Sequence, residues 1–242
     1  MNPSGHQQPD DRIASAALLG DGIVLVWNDI DAQGREQFYE WHDKEHIPER
    51  LAIPGFRRGR RYRKAGHSPE WLTLYEADDP DVMVSPAYMA RLNAPTPATT
   101  KTLTHFRNTS RAVCRPVCSV GESTGGYVLA IRIDRAAAPE TTPEAYVREV
   151  AFPRAMASTG VLACHLFASE QASFLDTEES RTREFDVPAW IVLVEASTED
   201  AAGQARALID APQLSDAGLR ARPDAAVYTL EICRLGAPAR ST

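Results

Sequence analysis

The chain is poor in cysteine and has no excess of positive charge. Its 242 residues include only four cysteines, too few to staple a chain of this length as a disulfide scaffold. Acidic residues outnumber basic residues by 33 to 26, a net charge of −7. Nucleic-acid binding needs a basic face, so this balance argues against nucleic acid as a partner. All four cysteines are predicted to be buried thiols: Cys114, Cys118, Cys164 and Cys233.

Long apolar runs and phosphate-binding loops are also missing. No apolar stretch approaches the roughly 18–20 residues that cross a bilayer. The apolar patch at 13–19 follows two acidic residues, whereas a signal peptide starts with basic ones. No glycine-rich nucleotide-binding motif is present. We therefore expect a cytoplasmic protein that contacts neither membrane nor nucleotide. At 43% hydrophobic and 24% charged residues, the composition is that of an ordinary globular protein.

The two halves of the sequence resemble each other. Five pairs of segments correspond in the same order: 22–26 with 126–130, Pro48 with Pro153, Gly55 with Gly160, 71–77 with 190–196, and 114–115 with 233–234. The offset is 104 in the first pair, 105 in the next two and 119 in the last two. Constant offsets on both sides of one jump are typical of a duplication with a single insertion. The insertion falls near 172–187, a polar stretch with the composition of a surface loop.

Hydrophobic periodicity predicts the same order of elements in each half, namely strand, helix, strand, strand, helix, strand. This is the ferredoxin-like unit, whose sheet has one face left to be covered. We predict an α+β fold of two tandem ferredoxin-like β-α-β-β-α-β units packed sheet to sheet. The predicted boundaries are a disordered arm at 1–20, a first unit at 21–121, a second unit at 122–236 and a tail at 237–242. The first helix is expected to start at Arg35 and to end before Pro48.

One segment of that helix carries residues suited to catalysis. At 3.6 residues per turn, Phe38, Trp41, His42 and Glu45 share one face, and His46 lies beside it. Histidine changes charge near neutral pH, and a neighbouring carboxylate can orient it. The pattern therefore predicts acid–base catalysis, with His42 and His46 as acid and base and Glu45 as their partner.

Other residues are predicted to bind the substrate. They are aromatic or polar side chains on the first strands and the first helix: Trp27, Asn28, Phe38, Trp41, Arg60, Tyr62 and Trp71. Asn28 could donate a hydrogen bond to an oxyanion, and an inward Arg60 could clamp a carboxylate or stabilise an enolate. The corresponding second-half residues are Tyr146 for Trp41, Val150 for Glu45 and Ala151 for His46. The site is therefore expected in the first half only.

Four segments of the sequence resemble the dimeric α/β-barrel superfamily, and most closely its EthD-like proteins. They are residues 41–51, the Pro-Gly-Phe at 54–56, Trp27-Asn28 and the Arg-Arg-Tyr at 60–62. The likeness covers about residues 20–115, whereas the second half shares only the topology. It implies that the tandem units form a dimeric α/β barrel within one chain. Members of the superfamily include cofactor-free monooxygenases, muconolactone-type isomerases, polyketide cyclases, dehydratases and haem-binding branches. The resemblance therefore implies the fold and leaves the reaction open.

We predict a cofactor-independent enzyme with lyase, isomerase or cyclase chemistry. Its substrate would be a small, largely apolar carbonyl, lactone or phenolic compound of catabolism or secondary metabolism. A cofactor-free monooxygenase and a non-catalytic binding or assembly module are the alternatives. An exposed sheet edge could also pair two copies into a homodimer.

The favoured interpretation needs no metal and no cofactor, but two metal-containing alternatives stay open. The residues from His42 to His46 match the zinc-binding pattern His-x-x-Glu-His, although the sequence supplies no clear third ligand. Some superfamily members with two repeats bind haem through a histidine, which makes His165 the candidate haem ligand.

Overall fold

The computed structural model describes residues 17–134, 142–170, 187–209, 214–215 and 219–237. The strands are β1 (Gly22–Ile30), β2 (Phe56–Arg63), β3 (Trp71–Ala77), β4 (Phe106–Gly121), β5 (Tyr127–Asp134), β6 (Val161–Ser169), β7 (Trp190–Ala196), β8 (Arg220–Ala221) and β9 (Ala226–Leu235). The α-helices are α1 (Arg35–Trp41), α2 (Ile47–Leu51), α3 (Pro86–Asn93), α4 (Pro97–Leu103), α5 (Glu144–Tyr146), α6 (Phe152–Met156) and α7 (Glu199–Ile209). A π-helical turn at His42–His46 joins α1 to α2, another at Val147–Ala151 joins α5 to α6, and a 3₁₀ turn at Pro80–Val84 precedes α3.

Eight strands form a closed antiparallel barrel. Their order is β7-β6-β4-β1-β3-β2-β9-β5, and β5 pairs with β7 to complete the circle, while β8 adds a short pairing to β5. The long strand β4 pairs with β1 and then with β6, and β9 pairs with β5 and then with β2. Because the barrel is closed, each of these eight strands pairs with two neighbours and has no free edge. The expected homodimer relied on such an edge.

Helices cover the outside of the barrel, and the core is divided between its interior and its outer faces. The interior packs apolar side chains of both halves, including Trp27, Tyr62, Phe167 and Tyr228. A second core lies between the second-half strands and α5–α7, and a third between the first-half strands, α2 and α3. No helix of the described residues is long and apolar enough to span a membrane.

One end of the barrel interior contains a charged network. The Arg60 guanidinium donates from Nη1 to Glu195 Oε1 at 2.6 Å and from Nη2 to Glu76 Oε1 at 3.0 Å. Arg58 donates to both oxygens of Glu76, at 2.7 and 2.8 Å. Two arginines and two glutamates thus balance inside the protein, which offsets much of the cost of burying each charge. Arg60 links a first-half carboxylate to a second-half carboxylate.

The predicted end of the first helix before Pro48 is wrong. The helical segment continues through Pro48 to Leu51, because the π turn at His42–His46 comes immediately before it. A π turn is wider than an α turn, which gives the proline ring room against the preceding carbonyls. Pro153 follows the π turn at Val147–Ala151 in the same way.

Strand pairing shifts the correspondence between segments 22–26 and 126–130 by one residue. β1 aligns Val24 with Tyr75 of β3, and β5 aligns Leu129 with Val194 of β7. Since Tyr75 and Val194 differ by 119, Val24 corresponds to Leu129 at an offset of 105 rather than 104. A slip of one residue exchanges the two faces of a strand, so the side-chain correspondence changes throughout β1.

Two smaller predictions differ from the structure, and a third concerns residues that lie mostly outside the described ones. Cys233 is exposed on β9, while the other three cysteines are buried as predicted. Residues 17–20 of the predicted disordered arm pack against the barrel, where Arg58 donates to the carbonyl of Ala17 at 2.6 Å. Most of the inserted segment at 172–187, and residues 238–242 of the predicted tail, lie outside the described residues.

Candidate functional site

A cavity lies between the outer face of the first-half strands and the helical segment α1–α2. Its polar lining residues are Asn28, His42, His46, Arg50, Thr73, Tyr75, Tyr88 and Arg111. Its apolar lining residues are Val24, Val26, Trp41, Phe56, Leu103 and Phe106. The cavity offers about 60 Å³ to the centre of a water molecule. That is room for a few waters or one slender small molecule.

Strand and helix periodicity place these side chains opposite each other. Val24, Val26 and Asn28 alternate along β1, so all three point to the outer face. His42, His46 and Arg50 follow each other at intervals of four along the facing helical segment. The π turn widens the first of these intervals, and both histidines reach the cavity.

Asn28 brings an unpaired amide into the cavity wall. Its side chain is 2% exposed, and its Nδ2 atom has no hydrogen-bond partner among the described residues. Asn28 lies where the β1–β4 register shifts between Trp27 and Asp29, and such bulges often redirect a side chain beside a functional site. A buried amide nitrogen without a partner costs free energy, which an acceptor oxygen of a ligand would recover.

Burial and a contact with Arg61 determine the protonation state and tautomer of His42. Arg61 Nη1 lies 3.0 Å from His42 Nδ1, and the same guanidinium pairs with Asp43 and Glu231. Burial and the Arg61 charge hold the pKa of His42 well below its ordinary value of 6.5. A guanidinium can only donate, so Nδ1 accepts and the proton of the neutral ring is on Nε2. His42 can therefore donate a hydrogen bond to a ligand from Nε2.

His46 completes a row of aromatic rings along the cavity. Its ring centroid lies 5.5 Å from that of His42, with the planes 21° apart, and 4.3 Å from that of Trp41. Trp41 is held in turn by the 3.0 Å hydrogen bond from its indole nitrogen to Thr99 Oγ1. His46 is partly exposed, unlike the buried His42. This makes His46 the more accessible of the two histidines for proton exchange.

Two arginines line the other end of the cavity. Arg50 is buried, with its guanidinium carbon 5.4 Å from the centroid of the Tyr88 ring. Arg111 Nη2 donates to the Tyr88 hydroxyl at 3.1 Å. Tyr88 also stacks on Phe56, with centroids 5.9 Å apart. The cavity lining contains no aspartate or glutamate among the described residues, so its fixed charge is positive.

The structure brings only some of the predicted site residues together. Asn28, Trp41, His42 and His46 line the cavity. Phe38 and Trp71 pack behind it, with ring centroids 5.3 Å apart.

Four predicted residues lie elsewhere. Trp27, Arg60 and Tyr62 point into the barrel and not into the cavity, because their strand positions face inward. Glu45 accepts a hydrogen bond from Thr96 outside the cavity lining, because the π turn rotates it away from the face shared by the histidines. It is therefore placed apart from the expected catalytic pair.

Several lining residues escaped the sequence prediction. Arg50 had a usable signal, because it follows His42 and His46 at the same interval of four. Arg111, Tyr75 and Tyr88 had no local signal. They reach the cavity only through strand pairing and the packing of α3.

The equivalent region of the second half is filled with apolar side chains. At offsets of 105 or 119, the positions of Asn28, His42, His46, Arg50, Thr73, Tyr75 and Arg111 are occupied by Ile133, Val147, Ala151, Ala155, Val192, Val194 and Leu230. The first six are buried in one hydrophobic core. The fold therefore forms with apolar residues at these positions, so the fold does not require the polar first-half set.

The residues present do not fit a zinc or haem site. The described residues contain no cluster of three or more His, Cys, Asp or Glu side chains suited to a metal. His165 is fully buried, stacks on Phe167 and shares a 3.1 Å hydrogen bond between Nδ1 and Ser119 Oγ. Burial lowers its pKa to about 3. A porphyrin is far larger than the His42/His46 cavity, and His165 lines no part of that cavity.

Comparison with solved structures identifies the fold type. An anthrone oxidase-like protein superposes with a TM-score of 0.58 at 9% identity, covering 93% of this chain and 97% of the other. A proposed monooxygenase from Lactobacillus acidophilus NCFM gives 0.52 at 9% identity, covering 89% and 96%. A variant of chlorite dismutase from Candidatus Nitrospira defluvii gives 0.55 at 11% identity, covering 88% and 92%.

The chain shares the fold of these proteins, which confirms the predicted α+β barrel fold. Membership of the dimeric α/β-barrel superfamily stays a prediction. At these identities the likeness extends to the fold alone. No family model matches the sequence, and no curated protein matches it.

Proposed function

We propose that the protein is a cofactor-independent enzyme that removes a proton from a small carbonyl, lactone or phenolic compound and stabilises the resulting enolate or phenolate. The observation that carries this proposal is the unpaired Nδ2 of the buried Asn28 beside His42 and His46. The second half supports it, because there the same fold positions hold apolar residues. Maintaining an unpaired amide costs stability, which is typical of a functional site.

Three side chains would share the chemistry. Asn28 Nδ2 and the Nε2–H of His42 would donate to the substrate oxygen, which becomes negative as the proton leaves. A neutral imidazole is suited to this role, because it donates without giving up its proton. His46 would take the proton and return it to another atom of the substrate. The glutamate predicted to assist, Glu45, has no part in this scheme.

A cofactor-free monooxygenase is the second candidate function. Two structural neighbours have names that point to oxygen chemistry, one an anthrone oxidase-like protein and the other a proposed monooxygenase. The same enolate or phenolate would react with dioxygen in place of a proton. The two candidates therefore share the deprotonation step and differ in the fate of the anion.

We also propose that the two halves arose by tandem duplication of a ferredoxin-like unit, with an EthD-like first half. The π turns at His42–His46 and Val147–Ala151 support this, since they are 105 residues apart and each precedes a proline. Buried Glu76 and Glu195, 119 residues apart, both bond to Arg60. The protein would then need no second copy to close its barrel.

The test is exchange of substrate protons with solvent. Purified protein is incubated in deuterated water with 2-tetralone, α-angelica lactone or 1-naphthol, and loss of proton signal is followed by NMR. We expect catalysed exchange of at least one compound. The His46→Gln and Asn28→Leu variants should lose about 100-fold or more of that rate, in line with the usual contribution of a general base or an oxyanion donor. Running the assay with and without air, with an oxygen electrode, separates proton transfer from oxygenation.

Matched controls use the same residue types away from the cavity. Asn93→Leu changes an exposed asparagine of α3, and His105→Gln changes a histidine outside the cavity lining. Both should exchange protons at the wild-type rate. If folded His46→Gln protein keeps the full rate, or if wild type neither exchanges nor consumes oxygen with any compound, the proposal fails.

A further inference from the structure

We propose that the substrate carries a carboxylate, bound by Arg111 and Arg50 at the end of the cavity opposite Asn28. This inference rests on the proposed function and names its substrate class, an oxo- or hydroxy-carboxylic acid. Neither arginine belongs to the catalytic group of Asn28, His42 and His46.

The charge of the cavity is the first argument. Two guanidinium groups line it, and no carboxylate does so among the described residues. Both approach Tyr88, one through a 3.1 Å hydrogen bond and the other over the ring at 5.4 Å. A bound carboxylate would supply the negative charge that the described lining residues lack.

Arg111 is the better placed of the two to receive an anion. Its guanidinium donates to the Tyr88 hydroxyl, and it forms no ion pair in the part of the chain that the structure describes. Most other arginines of the β2 and β4 strands are paired, such as Arg115 with Asp79. Arg111 is partly buried on the cavity wall, where an anion would be shielded from solvent.

The two polar ends of the cavity lie apart along strand β1. Along β1, Asn28 is four residues from Val24, about 13 Å at the usual strand rise. At one end Asn28 pairs with Trp71, which contacts Phe38 of α1. At the other, Val24 pairs with Tyr75, which lies edge-on to Phe56, the ring that stacks on Tyr88. Arg111 pairs with Val26 between them and reaches toward Tyr88.

An elongated, slender ligand fits this arrangement. Its neutral oxygen would meet Asn28 and His42, its carboxylate would meet the arginines, and its middle would lie against Trp41, Phe106 and Val26. Aromatic and aliphatic walls favour a planar hydrocarbon centre. The carboxylate would also fix which carbon is presented to His46.

The experiment compares acids with their uncharged amides. Binding to the full-length protein is measured by calorimetry for benzoate, 4-hydroxybenzoate and 4-hydroxycinnamate, each against its primary amide. We expect at least one acid to bind about ten-fold or more tightly than its amide, the usual size of a charge-assisted hydrogen bond. The Arg111→Met variant should lose this preference, and Arg111→Lys should keep part of it. The control Arg107→Met removes an exposed arginine of the same strand and should bind like wild type.

Three results would overturn the proposal: no acid preferred over its amide, the preference kept in folded Arg111→Met, or the preference lost equally in Arg107→Met. Its failure is distinguishable from failure of the proposed function. Wild-type protein that exchanges protons of 2-tetralone but shows no acid preference has the reaction without the carboxylate site. Wild-type protein that prefers acids but exchanges no protons has the anion site without the reaction.

Discussion

Arg61 Nη1 lies 3.0 Å from His42 Nδ1, and of these two residues only His42 lines the cavity. Arg61 is itself 2% exposed, and it packs over the rings of Phe38 and Tyr39. Glu231 of β9 accepts from its Nε at 2.9 Å, so a second-half strand helps to position a first-half histidine. The proposed catalytic arrangement would thus depend on the closed barrel as well as on the helix that carries the histidines.

Replacing Arg61 with glutamine should change the titration of His42. Without the cation, the pKa of His42 should rise toward its ordinary value, although burial keeps it below that value. The fixed Nε2–H tautomer should also give way to a mixture. NMR of ring nitrogens labelled with ¹⁵N measures both effects. Glu149→Gln, a change in the second half outside the cavity lining, is the control and should leave the His42 signals unmoved. An unaltered His42 titration in folded Arg61→Gln protein would contradict the role assigned to Arg61.

Replacing Asn28 with leucine should stabilise the protein. The change removes a buried amide nitrogen that has no hydrogen-bond partner among the described residues. The second half already has an apolar residue, Ile133, at the equivalent position. Relief of the unpaired group should add about 1 kcal/mol to the free energy of unfolding, measured in urea. The exposed Asn93→Leu variant should show no such gain. A destabilised Asn28→Leu protein would indicate that the amide has a structural role.

The fold was largely predictable because strand and helix periodicities are local. The order of helices and strands along the chain follows from runs such as 71–77 and 190–196. The register of β1 could not be predicted, because apolar residues at consecutive positions 23–26 do not show which face of the strand points outward. Pairing with β3 settles it.

The site was less predictable because hydrophobic periodicity reveals neither the π turn nor the closure of the barrel. The π turn breaks the 3.6-residue spacing, which moves Glu45 away from the histidines. Barrel closure decides which face of β2 is inside, which takes Arg60 and Tyr62 from the expected pocket into the interior. Arg111 lies 65 residues beyond His46 and joins it only through tertiary packing.

Neutralising Glu195 should destabilise the barrel strongly. Glu195→Gln removes one of the two carboxylates that balance Arg58 and Arg60 inside the protein. Breaking one side of a buried ion pair typically costs about 3–5 kcal/mol. Glu144→Gln removes the i,i+4 ion pair between Glu144 and Arg148, whose side chains are 42% and 38% exposed, and should leave the urea midpoint nearly unchanged. Equal stability of the two variants would show that the internal network contributes no more than a surface pair.

Acid should destabilise the protein through its buried neutral histidines. The pKa of His165 is lowered to about 3, and that of His42 is also held well below 6.5, chiefly by burial. The unfolded chain therefore binds more protons than the folded one below about pH 6.5, so stability falls as the pH is lowered from there toward 3. At pH 5 the buried neutral His165 costs about 2 kcal/mol, by 1.36 kcal/mol for each pH unit below 6.5. Urea unfolding at pH 7 and pH 5 should show this loss in wild type, and His165→Gln should show about 2 kcal/mol less of it. Substituting the partly exposed His67 with glutamine is the control, and a His165→Gln protein as acid-sensitive as wild type would remove His165 as a source of the effect.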